Sequence, residues 1–246
     1  MTVIGRVIEL WRYPVSSVAG EMVDTLSISE AGIFHDRDFG IVDCATGDVA
    51  SPGRDERWRP ALAVHARVGG EGEAQIRVPG SGWNSVLSDE TRNALAAHFG
   101  FAAEVRPYQD KAALPSYDGP WAVNRYQPSS LHLLTTASIA ELQRLHPNGN
   151  PDRRRFRPNI VVEMDGIEGS FPETEWLGRT LRVGELALTI DEPTRRCGMT
   201  VIAQDDISHD PEILRQLVRN NGHNIGVYCA PQRPGTLRLG DKVHLQ

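Results

Sequence analysis

The sequence predicts a mainly β protein with some α+β elements and a barrel-like architecture. Two observations lead there. Short apolar segments, alternating or β-branched, recur between Gly, Pro, Asn and Asp clusters. Only three stretches carry helical spacing with recognisable ends. Many short strands with few helices suit a closed or nearly closed sheet. At roughly 150 residues per domain, the 246 residues allow one large domain or two small ones.

Val3–Leu10 alternates and is rich in β-branched residues, so it opens the chain as a strand. Phe39–Asp43 and Asp48–Ser51 flank Ala45-Thr46-Gly47 and predict a hairpin. Leu62–Val68 and Ala74–Val78 flank Gly69-Gly70 and Gly72 and predict a second. A helix over Asp89–Phe99 is stopped by Gly100. Four prolines between 107 and 130 suggest an ordered loop or a crossing between domains. A short helix over Ala137–Leu145 ends before Pro147. Asn159–Met164, Gly184–Ile190 and Ile225–Cys229 read as strands. Pro211–Asn221 is the clearest helix. It has Asp210 at the N-cap, Pro211 at the first helical position and Gly222 beyond its end. Thr236–Leu239 and Lys242–Leu245, joined by Gly240-Asp241, read as the closing strands.

Composition excludes several classes. The net charge of -6, from 26 basic and 32 acidic residues, argues against a general nucleic-acid binder. It leaves room for a local basic pocket. The N-terminal residues lack the pattern of a signal peptide, and no run approaches the ~18 apolar residues of a membrane span. A cytoplasmic location is the default expectation, with reduced thiols. Three cysteines, Cys44, Cys197 and Cys229, form neither a disulfide framework nor a Cys-x-x-Cys motif. There is no Walker A sequence, dinucleotide glycine fingerprint, zinc-protease helix or Gly-x-Ser-x-Gly elbow.

Four segments could carry chemistry. In Pro193-Thr194-Arg195-Arg196-Cys197-Gly198-Met199-Thr200, two arginines precede a cysteine at a strand end. Guanidinium charge favours a thiolate, which is a nucleophile and soft metal ligand. A buried structural cysteine beside surface arginines is an equal reading. Cys44 and Cys229 read as structural. Arg153-Arg154-Arg155-Phe156-Arg157 precedes a buried strand, and arginine forks match anionic oxygens. A solvated charge run is the alternative, less so for Arg157. Tyr13–Gly20, with Ser16 and Ser17, could form an anion-binding nest or a polar turn. His35 reads as a turn residue, and Asp36-Arg37-Asp38 as an ion-pair cluster. His209 beside Asp205, Asp206 and Asp210 reads better as a polar loop and helix cap than as a metal site.

In this order, with YPVSSVAG, GIFHDRDFGIVD, LLTTASIAEL, RFRPNIVVE, PTRRCGMT and PGTLRLGDKV, the chain resembles the MOSC superfamily. That is the molybdenum cofactor sulfurase C-terminal domain with the β-rich domain that precedes it. The arrangement is similar to the amidoxime-reducing branch of that family. The resemblance implies an N-terminal β-rich domain over 1–118 packed on a MOSC β-barrel domain over 119–246. It implies a molybdopterin cofactor held between them. Cys197 falls on the position that ligates molybdenum or carries a persulfide, and Arg196 precedes it as in the family. Ser16, Ser17, Arg37, Ser129, Arg157, Asn159 and Arg195 fall at or beside cofactor-contact positions. Three departures stand out. Ser16 replaces a usual lysine, the polar loop at 126–130 is altered, and Arg195 replaces a frequent small residue.

The implied activity is oxidoreduction of an N-hydroxylated or N-oxide small-molecule substrate, with electrons from a separate donor protein. Sulfur transfer through a Cys197 persulfide, fed by a cysteine desulfurase, is the alternative. A noncatalytic cofactor-binding protein is a third. No pyridoxal phosphate or iron–sulfur cluster is expected, since three scattered cysteines cannot supply a four-cysteine set.

Overall fold

A computed structural model describes residues 2–109, 114, 117–123, 131–164 and 170–246. The chain is mainly β. In order, the strands are β1 (Thr2–Arg12), β2 (Glu21–Val23), β3 (Thr25–Ser29), β4 (Gly32–Ile33), β5 (Phe39–Asp43), β6 (His65–Val68), β7 (Ala74–Arg77) and β8 (Asn84–Ser85). Helix α1 (Asp89–Phe99) and β9 (Ala103–Pro107) follow. Then come β10 (Leu131–Thr135), α2 (Thr136–Leu145), β11 (Ile160–Met164), β12 (Thr180–Val183) and β13 (Leu186–Arg195). Helix α3 (Pro211–Asn221), β14 (Asn224–Pro231), β15 (Gly235–Arg238) and β16 (Lys242–Leu245) complete the chain.

Two compact units are present. One comprises Met1–Trp11, Met22–Phe34 and Pro128–Gln246, the other Arg12–Glu21 and His35–Gln127. The first unit holds a closed barrel in the order β11-β10-β14-β13-β12-β16-β1, and β1 pairs back onto β11. Closure removes the open edges that a flat sheet would leave. Its interior is apolar, with Val7, Leu10, Leu133, Val162, Leu188 and Val227 fully buried. A second cluster, including Leu134, Leu142, Phe156, Ile213 and Leu217, packs α2 and α3 together. Each such buried side chain contributes roughly 1.5–3 kcal/mol. A small sheet in the order β15-β3-β4 also belongs to this unit.

The second unit pairs β5 with β9 and stacks β6-β7-β8 as a separate sheet. Its core includes Val15, Val18, Ile41, Trp58, Leu95 and Val105. Phe99 and Phe101 meet the Trp58 ring edge-on at 5.1 and 5.0 Å.

Helix boundaries follow their caps. Ser88 accepts from the Thr91 N–H, and Gly100 leaves α1 in the left-handed region. Asp210 accepts from the Glu212 N–H, and Gly222 ends α3 the same way. Some strand expectations are corrected. Asp48–Ser51 does fold back antiparallel on β5, with the Asp43 N–H donating to the Asp48 carbonyl at 3.0 Å and the Ala50 N–H to the Ile41 carbonyl at 2.8 Å, but it forms only the Val49–Val42 bridge, while the full ladder of β5 is with β9. Leu62 lies in a 3-10 helix over Glu56–Ala63 rather than in a strand. Gly184, at φ 56°, makes the turn between β12 and β13, and β13 begins at Leu186. No described helix is long and apolar enough to cross a membrane.

Candidate functional site

Cys197 lies just past the end of β13, in the barrel unit. β13 ends at Arg195, and the Arg196 N–H extends its pairing with β14 by donating to the His223 carbonyl at 2.8 Å. Cys197 remains extended, with φ −125° and ψ −178°. Its thiol is free and exposed. Its carbonyl accepts from Thr200 twice, from the N–H at 3.1 Å and from Oγ1 at 2.9 Å, which opens a 3-10 turn over Gly198–Val201.

The arginine run supports this turn. Arg155 is fully buried and donates to three carbonyls: Asn150 at 2.9 Å, Thr200 at 3.2 Å and Ser208 at 2.7 Å. Desolvation lowers its pKa, with Asp210 and Asp152 opposing. Arg196 donates from Nη2 to the Phe156 carbonyl at 2.7 Å, and its guanidinium lies 5.8 Å from the Phe156 ring. Charge-assisted bonds of this kind hold the backbone on both sides of Cys197. The other members of the run differ. Arg154 pairs with Asp152 and Asp206, and Arg153 with Glu9. Glu9, Trp11, Ile139, Asp152 and Arg153 line part of a cavity of about 510 Å³ that does not include Cys197.

Arg157 is half-buried and holds φ 53°, a left-handed conformation that costs a non-glycine residue about 1–2 kcal/mol. Six described non-glycine residues have positive φ, and three are residues expected at the cofactor: Ser17 (66°), Arg37 (57°) and Arg157. Strain retained at such positions points to function. Asn159 is 1% exposed. Its Oδ1 accepts from the His132 N–H and its Nδ2 donates to the Trp11 carbonyl, both at 3.2 Å, so it ties β1 to β10.

In the second unit, Ser16 is buried, and its hydroxyl lies 2.9 Å from the Tyr108 hydroxyl. The Ser17 hydroxyl donates to the Ala50 carbonyl at 2.9 Å. Arg37 pairs with Asp36, and its guanidinium stands 4.9 Å from the Tyr13 ring. Asp36 also accepts from the Tyr13 N–H at 2.8 Å, so the two predicted segments meet within this unit. His35 occupies a turn at φ 61°, as its position suggested.

Ser129 lies outside the described residues. Cys229 is buried, and desolvation pushes its thiol pKa up. Cys44 is exposed, and desolvation followed by Glu104 raises its thiol. Among the described residues, no group of three or more His, Cys, Asp or Glu could hold a metal by itself. Sequence reasoning missed His223, Thr200 and the supporting role of Arg155. His223 donates no motif. The pairing of Arg195 with Asn224 and the Arg196 N–H bond to its carbonyl bring it beside the cysteine segment.

Comparisons with known proteins agree with this architecture. The chain is 25% identical to mitochondrial amidoxime reducing component 2 of Bos taurus, over 98% of this chain and 83% of that protein. The crystal structure of the YuaD protein from Bacillus subtilis superposes with a TM-score of 0.51 at 12% identity, covering 98% of this chain and 94% of that one. That likeness is one of fold. The MOSC N-terminal beta barrel domain model matches residues 4–112, and the MOSC domain model matches residues 123–244. These two matches take in nearly the whole chain, and the protein belongs to the MOSC-domain family.

Proposed function

We propose that this protein binds the molybdenum cofactor through Cys197 and reduces N-hydroxylated or N-oxide substrates. The observation that carries the reading is the free, exposed Cys197 thiol on a turn braced by Arg155 and Arg196. The donor set fits the group. A metal that arrives with its own dithiolene sulfurs needs one soft ligand from the protein, and a thiolate suits it. When bound, the cofactor supplies the two-electron oxygen-atom chemistry.

The chain's own residues supply position and charge. Arg155 and Thr200 hold the Cys197 carbonyl and the following turn, which fixes the backbone that carries the thiol. Arg157 carries a fixed positive charge on a rigid left-handed backbone, a natural partner for a phosphate or a pterin edge. Arg196 extends the β13 pairing through its N–H and turns its guanidinium onto Phe156, which leaves Cys197 outward. The substrate loses one oxygen from nitrogen and takes up two electrons and two protons, giving water. A separate electron-donor protein delivers the electrons.

Metal and pterin analysis of protein made in a cofactor-competent host tests the reading. Wild type should hold molybdenum near one per chain, and Cys197→Ser should lose both metal retention and N-oxide reduction. Wild type free of molybdenum and pterin would overturn it. The exposure of Cys197 also favours sulfur transfer as a second reading. A ~32 Da adduct on Cys197 after incubation with a cysteine desulfurase, in protein that binds no pterin, would select it.

A further inference from the structure

We propose that Arg195, held by His223, selects substrates that carry a carboxylate or comparable anionic group. This rests on the reductase reading above and extends it to substrate class. Arg195 is the last residue of β13 and Cys197, two residues on, keeps an extended backbone; both are exposed, while Arg196 between them turns inward to Phe156. In a strand, residues two apart face the same side with Cα atoms roughly 6.5–7 Å apart. A guanidinium and the reactive thiol therefore share one face.

The guanidinium is positioned but not neutralised. Its Nη2 donates to the His223 Nδ1 at 3.2 Å, and a ring nitrogen that accepts a bond carries no proton. Among the described residues, no carboxylate lies within ion-pair distance of Arg195, whereas Arg154, Arg153 and Arg37 all have one. The other donors of its planar fork remain for a ligand.

His223 is itself clamped. It holds φ 75°, its N–H donates to the Leu217 carbonyl at 3.1 Å, and its carbonyl accepts the Arg196 N–H at 2.8 Å. The end of α3 and the residue that follows β13 thus fix the backbone of His223, whose imidazole accepts from Arg195. A prepositioned arginine loses less freedom when it binds a carboxylate. Recognition falls on the substrate's anionic tail, while its N–O group is left for the cysteine side of the face.

The test is equilibrium binding of nicotinic acid N-oxide and nicotinamide N-oxide to the purified full chain, measured by calorimetry. The two probes differ by a carboxylate against an amide. Wild type should bind the carboxylate about tenfold more tightly, as a charge-assisted bidentate contact implies. Arg195→Gln should abolish the preference, and Arg195→Lys should retain part of it. His223→Ala should weaken it, and His223→Asn, which restores an acceptor and tolerates positive φ, should recover it. In turnover, the Arg195→Gln loss should fall on KM for the carboxylate substrate rather than on kcat.

Equal affinities in wild type, no measurable binding of either probe, or a preference that survives Arg195→Gln would overturn the proposal. So would loss of molybdenum and pterin in Arg195→Gln, which would make Arg195 a cofactor contact. Failure of the reductase reading is distinct. It would appear as wild type without molybdenum or N-oxide turnover, whatever the anion preference.

Discussion

Arg157 keeps a side chain where glycine would be more comfortable. Replacing it with Ala or Gly removes the same guanidinium, but only Gly relieves the left-handed backbone at φ 53°. Arg157→Gly should therefore be more stable than Arg157→Ala by about 1 kcal/mol in urea unfolding, and both should lose pterin. Equal stability of the two variants would mean that the backbone stores no strain there. The segments bearing Cys197 and Arg157 stood out in the sequence because residue type and a place before or after a strand are local facts. Arg155 did not. The run of arginines gives each member the same appearance, and only the fold decides that Arg155 meets three carbonyls while Arg154 meets two carboxylates. His223 was invisible for the same reason.

At the scale of elements, the helices were readable because their ends carry capping residues. The 3-10 helix at Glu56–Ala63 was not, since Pro60 inside it reads as a break and its burial depends on Trp58 meeting α1. The start of α2 shows another tertiary addition. Glu173 is fully buried and accepts from the Thr135 N–H at 2.8 Å, from the Thr135 hydroxyl at 2.9 Å and from the Ser138 hydroxyl. Desolvation nevertheless raises its pKa, with those donors opposing. An acid whose folded pKa lies above its unfolded value stabilises the fold most below the unfolded pKa. That contribution is lost as pH rises through the folded pKa. As pH rises above the ordinary glutamate range, about 4.3, wild type should lose stability relative to Glu173→Gln. A difference independent of pH would show that Glu173 titrates alike in both states.

For the whole molecule, β1 is the strand that closes the barrel, pairing β16 on one side and β11 on the other. Gly5 sits where both ladders meet, and a Cβ there would lie 2.0 Å from the Glu163 carbonyl oxygen. Gly5→Ala should destabilise the barrel by about 2 kcal/mol, because the obstruction is backbone that cannot step aside. Thermal unfolding checks this, and an unchanged midpoint would show that the closure has slack. The barrel class was legible in the sequence, whereas the closing pair was not. Closure joins residues 150 or more positions apart, and strand periodicity says nothing about partners.

Charge follows the same pattern. The net value of -6 excluded a general polyanion binder, but it did not say which arginines are spent on carboxylates and which are left exposed. The sequence by itself determined the mainly β class, the three helices with the Asp210 cap and the Gly100 and Gly222 stops, and the segments bearing Cys197 and Arg157. These rest on interactions within a few residues of chain. The tertiary structure alone decided which strands close the barrel, that Arg155 braces the cysteine turn, and that His223 holds Arg195. Those depend on register between strands far apart in sequence, where pairing and desolvation, rather than local propensity, set the outcome.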